Sequence, residues 1–268
     1  MKKLVIVRSL LGLLMIKQHH FFEACERGDL DSVQHYVYLK QCAPLGLDNL
    51  GLRLACKNGH RDVVAFLLRS DGIATSTGLM KAIWAAIEMR RYDIVSMLTP
   101  HVDLDANDGY LLKWAVVRGD NTLVAQLSPH FKSPQHLFEA LLDAVRNNDL
   151  AIVTTLIEYI DPQTNDGEAF HLACGRGHAA IVQCLLPYVD PKSKNSEGLL
   201  WACVGNHTNV IDLIWNHCDV SIVLNTQLLF SSDKGFEYLR NVWQPAEQKK
   251  SLLDAVGDLG IDNDVRKI

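Results

Sequence analysis

Asp166-Gly-Glu-Ala-Phe-His-Leu-Ala-Cys-Gly-Arg-Gly-His-Ala-Ala-Ile-Val-Gln-Cys-Leu-Leu186 is the stretch from which the rest of the chain can be read. Phe170, Ala173 and Cys174 lie three and four residues apart, so they share one side of a first helix. Gly177 offers the left-handed backbone that ends a helix, and Ile181, Val182, Leu185 and Leu186 form the apolar stripe of a second one. The pattern repeats in both directions. Its alanine recurs at Ala24, Ala55, Ala86, Ala115, Ala144, Ala173 and Ala202, in steps of 31, 31, 29, 29, 29 and 29 residues. Three residues before it stand Phe21, Leu52, Ile83, Leu112, Leu141, Phe170 and Leu199; nine after it stand Val33, Val64, Val95, Val124, Val153, Val182 and Ile211. A fixed period of this length predicts a tandem array of helix-turn-helix units.

Neither helix of such a unit exceeds roughly a dozen residues, a length at which isolated helices are marginal in water. Stability must therefore come from stacking, each buried Leu or Val contributing about 1.5–3 kcal/mol. Gly51, Ala82, Ala140, Ala169 and Gly198 are small enough to let adjacent first helices approach. Four residues after the alanine, Gly28, Gly59, Gly119 and Gly177, with Asn148 and Asn206, suit a left-handed turn. Arg90 in the third copy predicts a different turn there. Candidate N-caps are Asp48, Thr77, Asp108, Asp166 and Ser196, and Ser133 followed by Pro134 is the strongest start signal.

The 268 residues are 48% hydrophobic and 21% charged, with a formal net charge of −5. This is the composition of a globular chain whose overall field does not attract nucleic acid or anionic lipid. Because stacked units share a core, the array reads as one elongated domain over residues 21–219, with an N-terminal extension or cap over 1–20 and a degenerate eighth repeat and cap over 220–268. Cys25, Cys56, Cys174 and Cys203 each follow a repeat alanine, where Ile87, Val116 and Val145 stand elsewhere. The site wants a small apolar group, and a thiol serves, which reads as folding in a reducing, cytoplasmic compartment, of the producing cell or of a host cell for a secreted effector. The apolar run near Met1–Ile16 is interrupted by Arg8, lacks a cleavage signal and is too short to span a bilayer. It reads as a cap packed on the first repeat or an upstream start with Met15 as the true beginning, a removed targeting segment being the alternative.

At Leu54-Ala-Cys-Lys-Asn-Gly-His-Arg-Asp-Val-Val-Ala-Phe-Leu-Leu68 and His171-Leu-Ala-Cys-Gly-Arg-Gly-His-Ala-Ala-Ile-Val-Gln-Cys-Leu-Leu186 the chain closely resembles the ankyrin repeat. The resemblance implies an all-α, ankyrin-like helix-turn-helix solenoid of about seven repeats with degenerate caps, acting as a protein-binding scaffold without catalysis or cofactor. Family repeats run to about 33 residues, about four more than here, and their Thr-Pro-Leu-His start survives only as Glu168-Ala-Phe-His171. The hairpins are therefore expected to be shortened to loops, leaving a partner the first-helix face and the turns. Beyond Asp219 the pattern decays, although Ser231, Gly235, Leu239 and Trp243 still fall on repeat positions. Glu247-Gln-Lys-Lys250 with Asp258, Asp262 and Asp264 suits a polar cap, and Leu252-Leu-Asp-Ala-Val256 echoes Leu141-Leu-Asp-Ala-Val145.

His171, Cys174 and His178 have spacings that could suggest a metal site, but His60, His178 and His207 all fall five residues after the alanine, where an imidazole can bond backbone near the turn. Repeat logic explains them better than zinc, which needs four converging ligands. His101, His130, Tyr159, Tyr188 and His217, fifteen after the alanine, are expected to pack at the end of the second helix.

The positions two and three after the alanine close the first helix and, in the ankyrin family, face the partner. Five of the seven copies place a basic residue there: Arg27, Lys57, Arg118, Arg146 and Arg176. A positive ladder suits an acidic strip of protein, or less well a phosphate backbone. Each cation also has a local reason to stand at a helix C-terminus. Trp84 completes the candidate partner-binding set as an exposed anchor, while Trp114 and Trp201 occupy a position held elsewhere by Leu54 and Leu172 and are expected in the core. The partner expected is a protein with an acidic surface, bound by a monomer; the alternative is an inhibitor or effector that blocks an enzyme or immune protein. No Gly-rich phosphate loop, nucleophile elbow or isolated acid pair points to an enzyme, and no metal, cofactor or membrane is implied.

Overall fold

The computed structural model describes residues 2–39, 46–70, 76–106, 108–226 and 234–258, with side chains described from 15 to 251 outside the gaps and the residues bordering them. The described residues form sixteen α-helices and no strand. They group into two compact units, the first holding residues 1–115 and 122–136 and the second 116–121 and 137–268. In the first unit, helices α1 (Lys2–Arg27), α3 (Gly46–Asn58), α5 (Ser76–Glu88) and α7 (Tyr110–Val117) open successive repeats, and α2 (Leu30–Tyr38), α4 (Arg61–Arg69), α6 (Tyr92–Leu98) and α8 (Asn121–Leu127) close them, with the turn between α7 and α8 counted in the second unit. After the first three residues of α9 (Pro134–Arg146), which the first unit holds, the second unit contains the rest of α9 and α10 (Leu150–Leu156), α11 (Thr164–Arg176), α12 (Ala179–Leu185), α13 (Ser193–Val204), α14 (Thr208–Ile214), α15 (Val220–Thr226) and α16 (Lys234–Asp258). The fold is the all-α helix-turn-helix array that the period predicts. Where family hairpins would stand, the chain makes one-turn 3-10 helices, as at Thr99–His101 and Leu186–Tyr188.

All seven repeat alanines are buried, none more than 3% exposed, together with the apolar residues three before and nine after them. In the first unit α1 packs on α3 and α3 on α5; in the second α11 packs on α13, and α12 lies between α10 and α14. Gly51 and Gly198 permit this spacing: a Cβ on Gly198 would stand 3.0 Å from the Phe170 ring, and one on Gly51 2.7 Å from Phe21.

Every first helix ends in the same way. The residue four after the alanine has a φ between 54° and 88° in all seven copies. In the fifth copy Asn148 N donates to Val145 O and Asp149 N to Ala144 O, both at 3.0 Å, the paired bonds of a Schellman motif. Arg90 does not change the turn: with φ 54° it donates to Ile87 O at 2.9 Å, and Arg91 N reaches Ala86 O at 2.8 Å. The hydrogen bonds of the motif outweigh the cost of the left-handed state for a side chain with a Cβ.

The helix starts differ from the caps expected. Asp48, Asp108, Asp166 and Ser196 all have positive φ and lie in short left-handed turns, which in α11 span Asn165, Asp166 and Gly167 and in α13 span Lys194, Asn195 and Ser196. Asp48 pairs with Lys81 instead, and Ser196, buried, accepts from Asp219 N at 2.8 Å. The side chain of Thr77 lies outside the described residues. α9 does begin at Pro134. Side-chain caps occur on second helices, where Asp29 accepts from Ser32 N and Asp149 from Ile152 N.

α1 runs unbroken from Lys2 into the first repeat. Ser231, Asp262 and Asp264 lie outside the described residues, as do the side chains of Asp258 and the Leu252–Val256 echo. Gly235 is helical and makes no turn: it lets α16 approach α13, where a Cβ would meet Cys203 O. Phe236 and Leu239 are fully buried. Of the seven cysteines, the six described form no disulfide. Burial pushes the Cys203 thiol up to about 12 and Cys174 well above its ordinary value, which leaves both as apolar fillers.

Candidate partner-binding face

The residues that close the first helices are brought to exposed positions at helix ends. In the first unit, Arg27 is exposed and held by Glu23, donating to both its carbonyl and its carboxylate at 3.3 Å. It lines a shallow pocket of about 230 Å³ with His20, Asp29 and Tyr36. Lys57 is exposed at the end of α3. In the second unit Arg118, Arg146 and Arg176 are exposed.

Two of these arginines share a groove. Arg146 and Arg176 line a cavity of about 440 Å³ whose other walls are Glu168, His171, Leu172, Gly175, Lys194, Glu197 and Trp201. Arg118 is not among its walls. Arg146 bonds Asp143 Oδ1 at 2.6 Å, a pair spaced three apart on one helix.

None of the three tryptophans stands where it was expected. Trp84 is half-buried, its ring centroid 5.0 Å from Trp114 in an edge-on contact and 6.2 Å from Tyr110, so it is part of an aromatic cluster and not a lone exposed anchor. Trp114 is likewise half-buried. Trp201 is the exposed one, at 40%, because Gly175 opposite it carries no side chain and the indole lies across α11 instead of entering the core. Its Nε1 donates to Glu197 Oε1 at 3.0 Å, fixing the ring.

His171 is the most buried polar residue lining the groove, 5% exposed. The Ser193 hydroxyl donates to Asp166 O at 3.0 Å, so the 3.1 Å contact between His171 Nε2 and Ser193 Oγ assigns the ring proton to Nε2. Nδ1 then has no hydrogen bond and lies 3.4 Å from Glu197 Oε2. Burial holds the imidazole below its usual range despite that carboxylate, with Lys194 pushing the same way as burial.

The repeat histidines act between repeats. His60 Nε2 is 2.8 Å from Glu26 O and His207 Nε2 is 3.1 Å from Gly175 O, each binding the end of the preceding first helix. Their rings also cover Gly28 and Gly177, leaving no room for a Cβ at either position. His178 Nε2 is buried without such a bond. Among the described residues no three metal-ligating side chains converge. His101, Tyr159, Tyr188 and His217 stand exposed near the ends of their repeats instead of packing there.

Sequence reasoning missed Lys194, Glu197 and His171 as a group, because two of them stand in the opening of α13 and not at the repeated basic position. A usable signal was present. The sixth copy alone has glycine two after its alanine, and the seventh places a tryptophan just before its own.

The family model for ankyrin repeats (3 copies) matches residues 21–108 and 141–225. The chain belongs to the ankyrin-repeat family. A search of curated proteins found no match. Ankyrin repeats are commonly protein–protein interaction modules, and the family is generally non-catalytic. No described helix of this ankyrin array is long and apolar enough to cross a membrane.

Proposed function

We propose that this ankyrin array is a non-catalytic recognition scaffold that binds a protein partner through the ends and exposed faces of its first helices. The observation that carries this reading is the groove in the second unit, where Arg146 and Arg176 come from different repeats yet line one cavity. Arginine in such a position recognises carboxylates by paired hydrogen bonds, so the partner surface is acidic. Lys57 and Arg118 add exposed cations at equivalent repeat positions.

The test is the triple variant Arg118→Glu, Arg146→Glu and Arg176→Glu. Exposed helix ends tolerate such changes with little loss of stability, so the thermal midpoint is expected to stay within a few degrees of the parent. Partners captured from the native host and identified by mass spectrometry are expected to be depleted. Capture unchanged by the triple reversal rejects the face.

A further inference from the structure

The groove lined by Arg146 and Arg176 is more specific than the basic face that contains it. Its charges are not equally available. Arg146 is tied to Asp143, Glu168 accepts from Asn165 Nδ2 at 3.1 Å, and Glu197 is engaged by the Trp201 indole. The side chains of Arg176 and Lys194 make no hydrogen bond or ion pair among the described residues, and both border the cavity. The Arg146–Asp143 pair is balanced within itself, so Arg176 and Lys194 are the cations left to meet a ligand, with Glu168 and Glu197 on the same walls.

Two cations side by side, with no side-chain partner of their own, suit one monoanionic carboxylate placed between them. A dianionic phosphate would stand against Glu168 and Glu197. The exposed face of Trp201, held in one orientation by Glu197, adds an apolar platform next to the free cations. His171 supplies a buried polar atom without a hydrogen bond at the same place, Nδ1, covered by the Glu197 side chain. This is a built site rather than a row of solvated cations, because the Gly175 and Trp201 pair that shapes it occurs in no other copy of the repeat.

We infer that this groove takes a segment of a partner polypeptide in which one Asp or Glu, set beside a large apolar or aromatic side chain, places its carboxylate between Arg176 and Lys194 and its apolar neighbour on Trp201. The inference rests on the partner-binding reading above and narrows it to one ligand chemistry.

The probe is a set of immobilised twelve-residue peptides, each with one central Asp or Glu flanked by Leu, Phe or Tyr, together with matched sets carrying Asn or Gln and carrying phosphoserine. The whole protein is expected to retain members of the acidic set and not their amide counterparts. The double variant Lys194→Gln and Trp201→Phe, and separately Lys194→Glu, should weaken that retention by about tenfold or more, as losing one partner of a close charge pair does. Circular dichroism at 222 nm should stay unchanged. Equal retention of the amide set, stronger retention of the phosphoserine set, or no acidic peptide retained above the Lys194→Glu level overturns the inference. Neither Lys194 nor Trp201 belongs to the triple-arginine test. If that triple variant loses its partner while the Lys194 and Trp201 variants keep theirs, the groove is wrong and the face stands; if no variant changes partner capture, both fall.

Discussion

Residue identity matters most at the position four after each repeat alanine, where the backbone is left-handed in every copy. Four glycines and two asparagines accept this at small cost, but Arg90 carries a Cβ into the same region at φ 54°. The left-handed state costs an ordinary L-residue about 1–2 kcal/mol, so Arg90→Gly is expected to raise stability by about 1 kcal/mol despite the larger unfolded-state entropy of glycine. Urea denaturation of the two proteins measures the difference, and a loss of stability would mean that the Arg90 side chain contributes more than its backbone costs. The repeat alanine makes the opposite demand. Ala144 is fully buried, and Ala144→Leu adds three carbons to a packed interior. Overpacking costs about 1–3 kcal/mol, so the urea midpoint should fall; an unaltered midpoint would place the alanine outside the helix contact.

The elements are joined by side chains whose partners lie a repeat away, and these contacts were the hardest to read from sequence. Asp105 is the clearest case. One oxygen accepts from Ser133 N at 3.2 Å and from His136 Nδ1 at 2.9 Å, the other from Lys132 N at 2.9 Å, so a single carboxylate holds the chain as it enters α9. Burial pushes the group upward, but these hydrogen bonds outweigh it and hold the carboxyl below its ordinary range. A carboxylate depressed in the folded state contributes stability that is complete above its unfolded pKa, about 3.9, and is lost as pH falls through the lower folded value. Asp105→Ala is therefore expected to cost about 1.5–3 kcal/mol near neutral pH, the range for hydrogen bonds to a charged group. The gap from the parent should narrow below about pH 4. Urea midpoints of both proteins at about pH 6 and about pH 3 check this, and a gap that widens on acidification would reverse the sign assigned to Asp105. The periodic part of each element was legible because burial imposes it in every copy: Phe21, Ala24 and Val33 in the first repeat predict Leu199, Ala202 and Ile211 in the seventh. Asp105 and the left-handed turns that open α11 and α13 were not legible, because each is bonded to a neighbour 23 to 31 residues away that no spacing rule names.

At the scale of the whole molecule the sequence disclosed a basic position repeated along the array, and it did not disclose which copies cooperate. Lys194 enters the groove from the left-handed opening turn of α13, and Trp201 turns outward because of a glycine in the preceding repeat; both are effects of three-dimensional neighbours on an otherwise periodic site. The formal charge of −5 sets the last expectation. At low salt, where the Debye length grows from about 10 Å at 0.1 M to about 30 Å at 0.01 M, an approaching acidic ligand meets the repulsive field of an acidic protein, and attraction wins only close to Arg176, Lys194 and Arg146. Added salt then acts in opposite senses on the two rates. It screens the distant repulsion, which favours encounter, and it weakens the contact pairs, which favours escape. With a fluorescein-labelled member of the acidic peptide set, stopped-flow anisotropy between about 20 and about 200 mM sodium chloride should show an association rate that rises or changes by less than about twofold, while dissociation accelerates. A protein whose face attracts at long range behaves differently, its association slowing by tenfold or more over such a range. Observing that steep slowing here would place the dominant field at the arginine ladder and not in the acidic remainder of the chain.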